Sequence, residues 1–205
     1  MNKWYFLNFK IKWDKKSPVN FFVDLIIIDL LINPAVGTFK QKLILWRIHR
    51  SATEDGHILR FIFYTTSETS KNVLKNIKDN KFYRFIKENY LEDMIKEEGS
   101  QDIEGAGDGD WPKEINRVWP YYIMGCSEMY MKLIEEINKS MAEGIDKNNR
   151  EQLEQYYKEI EKEIDAKWFT YGSHSFLHHL GAIFGYKFIF LRPRFIDENS
   201  RGIIL

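Results

Sequence analysis

The sequence has little of what marks several protein classes. Cys126 is its one cysteine, so the chain can form neither an internal disulfide nor a cluster of thiolate metal ligands. Lys and Arg together number 30 and balance 30 Asp and Glu, so there is no excess positive charge of the kind that binds nucleic acid. Neither standard glycine-rich phosphate loop is present, which argues against ATP and dinucleotide chemistry.

Long apolar runs are scarce as well. The longest is Val23–Ile32, which carries Asp24 and Asp29 and is too short to cross a bilayer. No secretory signal pattern follows Met1–Lys3. We therefore expect a cytoplasmic protein that does not interact with a membrane.

The composition is that of a folded protein. Of the 205 residues, 44% are hydrophobic and 29% are charged, which suffices for a real core. We expect one domain overall, made of a sheet-forming half at 1–96, a flexible acidic loop at 97–110 and a helical half at 111–205. The loop is rich in Gly and acidic residues and has little apolar surface to bury, which predicts mobility and early proteolysis.

In residues 1–96, segments with the two-residue hydrophobic period of strands alternate with segments that predict helices. Alternation over residues 3–12 predicts a strand. Ser17-Pro18 is typical of a helix start, and Asn33-Pro34 predicts the end of that helix. Residues 41–50 and 57–66 are rich in β-formers and predict a hairpin.

The fold class that follows is α+β, a ferredoxin-like β-α-β-β-α sheet with a helical C-terminal portion. Its second helix is predicted from Ser70 to about Ile95, with a break near Asn80. Lys187–Leu191 is the candidate for the last strand. Helices are predicted at about 111–142, divided or kinked by Pro120, at 150–169 and at 173–184.

Basic residues gather on the predicted hairpin. Alternation places Arg47 and His49 on one face of their strand, and Arg60 and Tyr64 on one face of the next. The planar guanidinium of arginine suits a carboxylate or a phosphate. A second interpretation stays open, in which each arginine pairs with an acidic neighbour or reaches solvent, as is ordinary on a solvated sheet face.

Histidines form a second group near the C-terminus. His174 and His178 are four residues apart and share one face of the predicted helix. They could bind a metal or a haem, act as general acid and base, or be hydrogen-bonded within a packing face. The zinc-protease pattern needs Glu directly after the first His, where Ser175 stands, so we predict no metal site and no cofactor.

Five segments together carry a resemblance to a known family. They are 4–9, Asp29–Leu31, Leu45–Arg50, His57–Phe61, and Ser175–His179 with Gly185. In these segments the chain resembles the C-terminal domain of lantibiotic dehydratases and the stand-alone thiopeptide-type bacteriocin biosynthesis proteins. The resemblance implies maturation of a ribosomally made peptide, by elimination of glutamate from a modified Ser or Thr or by a related cyclisation.

The same resemblance implies roles for particular residues. His178, in a Ser-x-x-His setting after Ser175, corresponds to the catalytic histidine, and Arg47 and Arg60 correspond to the arginines on the hairpin strands. Elimination needs a base that removes the α-proton and a cation that holds the departing carboxylate. A histidine and two arginines are suitable residue types for these two roles. We assign His49, Tyr64 and His174 to binding.

Two other functions stay open at this stage. The chain could be a non-catalytic binding or assembly protein that docks a partner peptide or protein through Arg47 and Arg60. It could also be a small metal- or haem-binding protein that uses His174 and His178. The expected partner is a peptide substrate or a protein, and the oligomeric state and the question of catalysis are left open.

Overall fold

The structure is a computed structural model that describes residues 1–14, 19–53, 56–107, 110–141, 145–172 and 183. The chain divides into two compact units, Met1–Ile164 and Asp165–Leu205. The larger unit contains the sheet and most of the helices. The assignment of 1–96, 97–110 and 111–205 to one domain stays a prediction.

The fold class is α+β, as predicted. A four-stranded antiparallel sheet has the strand order β2-β3-β1-β4. Its strands are β1 (Asn2–Ile11), β2 (Leu45–Thr53), β3 (Gly56–Thr66) and β4 (Leu91–Glu98). The predicted hairpin is therefore confirmed, and the strand predicted at 3–12 lies next to it as β1.

The helix after β1 is longer than predicted. α1 (Phe21–Ile27) continues through a π-helical turn, Ile28–Ile32, into α2 (Asn33–Phe39). The prediction that Asn33-Pro34 ends the helix is therefore wrong. In the wide turn the Asn33 N–H donates to the Ile28 carbonyl five residues back, and Pro34 then stands in the first turn of α2, where its missing N–H is tolerated.

The segment Phe21–Phe39 is predominantly apolar. Its 19 residues reach a mean hydropathy of 1.8, so it is long and apolar enough to cross a membrane, and 67% of its most apolar window is buried inside the protein. Core helices of soluble proteins and signal sequences share these properties. Ile26, Ile27 and Leu31 are fully buried in the same core as Leu7 and Phe9 of β1, which is typical of a core helix in a soluble protein.

The stretch after the hairpin corrects a second prediction. A single helix was expected from Ser70 to about Ile95, but α3 (Ser67–Asp79) and α4 (Tyr83–Tyr90) are followed by β4. The predicted break at Asn80 is confirmed, since its side chain caps the turn by accepting from the Phe82 N–H. β4 forms because the second edge of β1 needs a hydrogen-bonding partner, and this tertiary demand overrides a weak local preference.

Part of the predicted flexible loop is regular structure. β4 runs to Glu98, and a short 3-10 turn covers Ile103–Ala106. The Gly99 N–H donates to the Trp4 carbonyl, and the Trp4 indole N–H lies 3.1 and 3.2 Å from the carbonyls of Asp102 and Ile103. Assigning all of 97–110 to a loop was therefore wrong, because Trp4 ties its first half to the sheet; mobility in solution stays a prediction.

The helical C-terminal portion comprises α5 (Lys113–Met141) and α6 (Arg150–Lys167). α5 runs as one helix through the buried Pro120, so the predicted division is wrong, whereas the alternative, a kink at Pro120, stays a prediction. In the smaller unit, α6 ends in a π-helical turn, Trp168–Gly172. The helix predicted at 173–184, apart from residue 183, and the strand predicted at Lys187–Leu191 lie outside the described residues.

Candidate functional site

The strand register divides the sheet residues between two faces. The inner face carries Tyr5, Leu7 and Phe9 of β1 and packs against the helices in the main core. The outer face carries the alternate residues, and one end of it is covered where Trp4 and Ile62 pack with Ile103 and Met124. The inner face packs against the helices, and the β2–β3 part of the outer face carries Arg47, His49 and Arg60.

Arg47, His49 and Arg60 form a basic trio on the outer face. His49 lies directly opposite Arg60, and Arg47 lies opposite Ile62, so all three side chains project on the same side of the β2–β3 pair. The prediction that Arg47 and His49 point the same way is confirmed. An Arg60 Nη1 group donates to the Ser51 hydroxyl at 2.8 Å, and Arg60 forms no ion pair with any described residue.

The electrostatics of the trio follow from its density of positive charge. The pKa of His49 lies below its ordinary value of 6.5. Partial burial is the largest cause, and the positive charges of Arg47 and Arg60 lower it further. Partial burial also lowers the pKa of Arg47. A negatively charged group placed among these side chains would oppose both effects, so the trio favours an anion.

Of the other predicted site residues, the structure describes Tyr64 but not His174 or His178. Tyr64 lies on the outer face, but its hydroxyl donates to the Gln101 carbonyl at 2.6 Å and its ring packs 5.2 Å from that of Trp4. These contacts give Tyr64 a structural role in the fold. His174 and His178 lie outside the described residues, so their distance from Arg47 and Arg60 is untested.

Sequence reasoning missed Asn8, which lies opposite Arg60 on the neighbouring strand β1. Asn8 is only 6% exposed, and its Oδ1 makes no hydrogen bond within the described residues. In the sequence, Asn8 is an asparagine on the polar side of an alternating strand. That pattern predicts a solvent-exposed side chain, so it gave no indication that Asn8 is buried. Burial on the outer face depends on neighbouring strands and is invisible in one strand's sequence.

A second polar cluster lies on the inner face and was also missed. The Asp24 carboxylate of α1 is fully buried, 3.0 Å from His57 Nε2 and 3.1 Å from Arg50 Nε. Arg50 Nη2 donates to the Tyr130 hydroxyl of α5 at 2.6 Å. Burial lowers the Arg50 pKa, but Tyr130 and Asp24 raise it more, and the net direction is upward. The guanidinium therefore stays charged beside a buried carboxylate.

A small surface pocket of about 200 Å³ adjoins this inner cluster. Its walls are formed where α5 meets the edge strand β2, and its lining includes Arg50, Cys126 and Tyr130. Burial raises the pKa of Tyr130, although Arg50 opposes this. The arginine at this pocket is paired with Asp24.

No set of three or more His, Cys, Asp or Glu side chains within the described ranges is arranged to hold a metal ion. No family model matches the chain, and no curated protein matches it.

Proposed function

We propose that the protein binds a carboxylate-bearing peptide on the outer face of its sheet and acts in the maturation of that peptide. The observation that carries the proposal is the basic trio, three basic side chains projecting from two adjacent strands without an acidic partner for Arg60 in the described structure. Arginine binds carboxylates through paired N–H donors, and a partly desolvated site strengthens these bonds.

The resemblance to the lantibiotic dehydratase C-terminal domain adds a reaction to this binding site. In that reaction a base removes the α-proton of a glutamylated Ser or Thr, the electron pair forms the Cα=Cβ double bond, and the Cβ–O bond breaks to release glutamate. We propose His178 as the base and Arg47 and Arg60 as the groups that hold the departing carboxylate.

A finer description of the fold is part of the same proposal. We propose that the order β1-α-β2-β3-α-β4 is a ferredoxin-like split βαβ arrangement, with β4 as its last strand. Its support is the antiparallel strand order β2-β3-β1-β4. A cytoplasmic location is proposed with it, since ribosomally made precursor peptides are synthesised there.

A binding experiment tests the core of the proposal. A labelled peptide with glutamates should bind the full chain, and its glutamine counterpart should bind much less. Arg60→Gln should weaken glutamate-peptide binding about tenfold or more, the effect of losing one charge-assisted hydrogen bond. The control Arg84→Gln changes an exposed arginine of α4 that pairs with Glu88, and it should leave binding unchanged.

Catalysis is tested separately with a glutamylated peptide. Release of glutamate that is lost in His178→Ala, with peptide binding retained, supports the lyase. Binding without release supports the non-catalytic docking protein, for which the basic trio is equally suited. Equal binding of the glutamate and glutamine peptides contradicts both forms of the proposal.

A further inference from the structure

The starting observation is a cavity of about 350 Å³ in the larger unit. It lies where the end of β1 and the end of α4 meet the first turns of α1 and α6, so its lining belongs to other elements than the basic trio. Four charged side chains line it, namely Lys12, Glu88, Arg150 and Glu154. Cavities of this size hold small organic molecules.

Lys12 is held at the wall of this cavity by two hydrogen bonds. Its backbone N–H donates to the Tyr90 carbonyl at 2.8 Å, and its ammonium group donates to the Glu88 carbonyl at 2.7 Å. An ammonium group has three donors, and that of Lys12 makes no second hydrogen bond and no ion pair within the described residues. Lys12 is also exposed, so its ammonium is both fixed in place and accessible to a ligand.

The two carboxylates of the lining already have cationic partners. Glu154 lies 2.7 Å from Arg150 Nε and 3.7 Å from Lys158 Nζ. Glu88 lies 2.8 Å from Arg84 Nε. With the ammonium at the cavity wall included, the lining side chains and their ion-pair partners comprise four cations and two carboxylates. The excess of positive charge favours an anionic ligand.

Part of the lining is apolar. Phe22 and Val23 of α1 contribute to it, as does Tyr90 at the end of α4. The Arg150 guanidinium lies 5.7 Å from the centroid of the Tyr90 ring, so the charged and apolar parts adjoin. Burial, helped by Glu154 and opposed by Arg150, raises the pKa of Tyr90 to about 12, so this phenol adds no negative charge at neutral pH.

We propose that the cavity is a second ligand site, which binds a small organic anion made of a carboxylate or phosphate group on an apolar body. The oxyanion accepts hydrogen bonds from Lys12 and Arg150, and the apolar body lies against Phe22 and Val23. The Arg150 side chain is 58% exposed, so an anion meets both cations without opening the core. This site does not depend on the proposed peptide site.

Calorimetric titration of the full chain with three probes tests the chemistry of the ligand. The probes are 3-phenylpropionate, which carries a carboxylate, phenyl phosphate, and 3-phenylpropanamide, which is neutral. At least one of the two anions should bind, and the amide should bind at least tenfold more weakly than that anion. The stronger of the two anions shows whether the site takes a carboxylate or a phosphate.

Two pairs of variants locate the binding. Lys12→Gln should weaken binding of the anion about tenfold because it removes a charged donor, whereas Lys75→Gln, at an exposed lysine of α3 paired outside the cavity, should not. Arg150→Gln should also weaken binding. Its control is Arg117→Gln, because Arg117 Nε also pairs with a glutamate at 2.7 Å but lies on α5, away from the cavity lining.

The wild-type protein gives a direct readout. The NMR signals of the Val23 methyl groups should shift when the anion binds, and should shift much less with the amide. Added sodium chloride should weaken binding, because salt screens the attraction between exposed charges. These measurements decide the question even if Lys12→Gln does not fold.

The outcomes separate this inference from the proposed function. Absence of binding by both anions, equal affinity for anion and amide, or an equal loss in Lys75→Gln refutes the cavity site. Loss of anion binding in Arg60→Gln but not in Lys12→Gln also refutes it, since the anion then binds at the basic trio. Failure of the glutamate peptide to bind, with the cavity still binding its anion, refutes the proposed function alone.

Discussion

The two faces of the sheet use arginine and histidine in opposite ways. On the inner face, Arg50 and His57 both contact the buried carboxylate of Asp24. On the outer face, Arg60 and His49 lie opposite each other, and Arg60 bonds the hydroxyl of Ser51. The strands are the same, and only the odd or even position along each strand differs. Alternation thus decides whether a basic side chain faces the Asp24 carboxylate of α1 or lies on the outer face of the sheet.

The difference has an energetic consequence. A buried carboxylate is tolerated because the Arg50 guanidinium and the His57 ring nitrogen replace the water that it has lost, so removing the carboxylate or the guanidinium leaves an uncompensated charge. A half-buried arginine on the outer face can still be hydrated. Changes on the inner face should therefore alter stability, whereas changes on the outer face should alter binding.

The largest effect is expected for Asp24→Ala. The substitution leaves the buried His57 and the partly buried Arg50 without their carboxylate, and the free energy of unfolding should fall by about 3 kcal/mol. Urea unfolding followed by circular dichroism measures this fall. Asp79→Ala, which removes an exposed acid paired with Lys75, is the control and should change little. A loss below about 1 kcal/mol at Asp24 would show that the cluster is solvated and that the two faces do not differ in this respect.

A smaller effect is expected for Tyr130→Phe. It removes the hydroxyl that accepts from Arg50 but keeps the ring that stacks 4.9 Å from the guanidinium. A hydrogen bond to a charged group contributes about 1.5–3 kcal/mol, and the free energy of unfolding should fall by an amount near the lower end of that range. The outer-face counterpart is Ser51→Ala, which removes the hydroxyl that accepts from Arg60. Its free energy of unfolding should fall by less than that of Tyr130→Phe. An equal fall in both variants would contradict the comparison.

The smallest effect concerns His49 and pH. Because partial burial and the two arginines lower its pKa in the folded state, the unfolded chain takes up a proton at this residue before the folded chain does. Stability should therefore decrease as the pH falls below 6.5, the ordinary histidine value, toward the folded pKa. His49→Gln should lessen this decrease, as measured by urea unfolding between pH 7.5 and 5.5. An unchanged pH profile in His49→Gln would show that the trio does not affect this histidine.

Binding of an acidic peptide should show the opposite pH trend. A carboxylate near His49 favours its protonated form, so affinity for the glutamate peptide should rise as the pH falls toward the His49 pKa. Titrations of wild type and His49→Gln at pH 7.5 and 6.0 measure the difference. If the affinities of wild type and His49→Gln change equally with pH, the group that causes the change is not His49.

Local patterns were enough to predict one part of the molecule. The alternation of β1 and the shared face of Arg47 and His49 follow from the two-residue period of a strand, and the pairing of β2 with β3 follows from their closeness in sequence. The break at Asn80 follows from a side chain that competes with the helix backbone. These features depend on residues that are close in sequence.

Other features depend on partners distant in sequence. β4 is a strand because β1 offers it an unpaired edge, and the helix passes Asn33-Pro34 because a π turn widens it within the core. Local rules assigned both segments differently, since they contain no information about those neighbours. Likewise, Asp24 looks like a charge interrupting an apolar run until Arg50 and His57 are brought to it.

The sequence by itself therefore determined the α+β class, the hairpin and the direction in which the basic trio projects, because each follows from a short period along one strand. Only the tertiary structure decided that Asn8 lies buried beside Arg60, that Asp24 pairs with Arg50 on the inner face, and that Arg60 donates to the hydroxyl of Ser51. The physical reason is that burial and charge pairing are properties of neighbours in space, which strand pairing and helix packing select from distant parts of the chain.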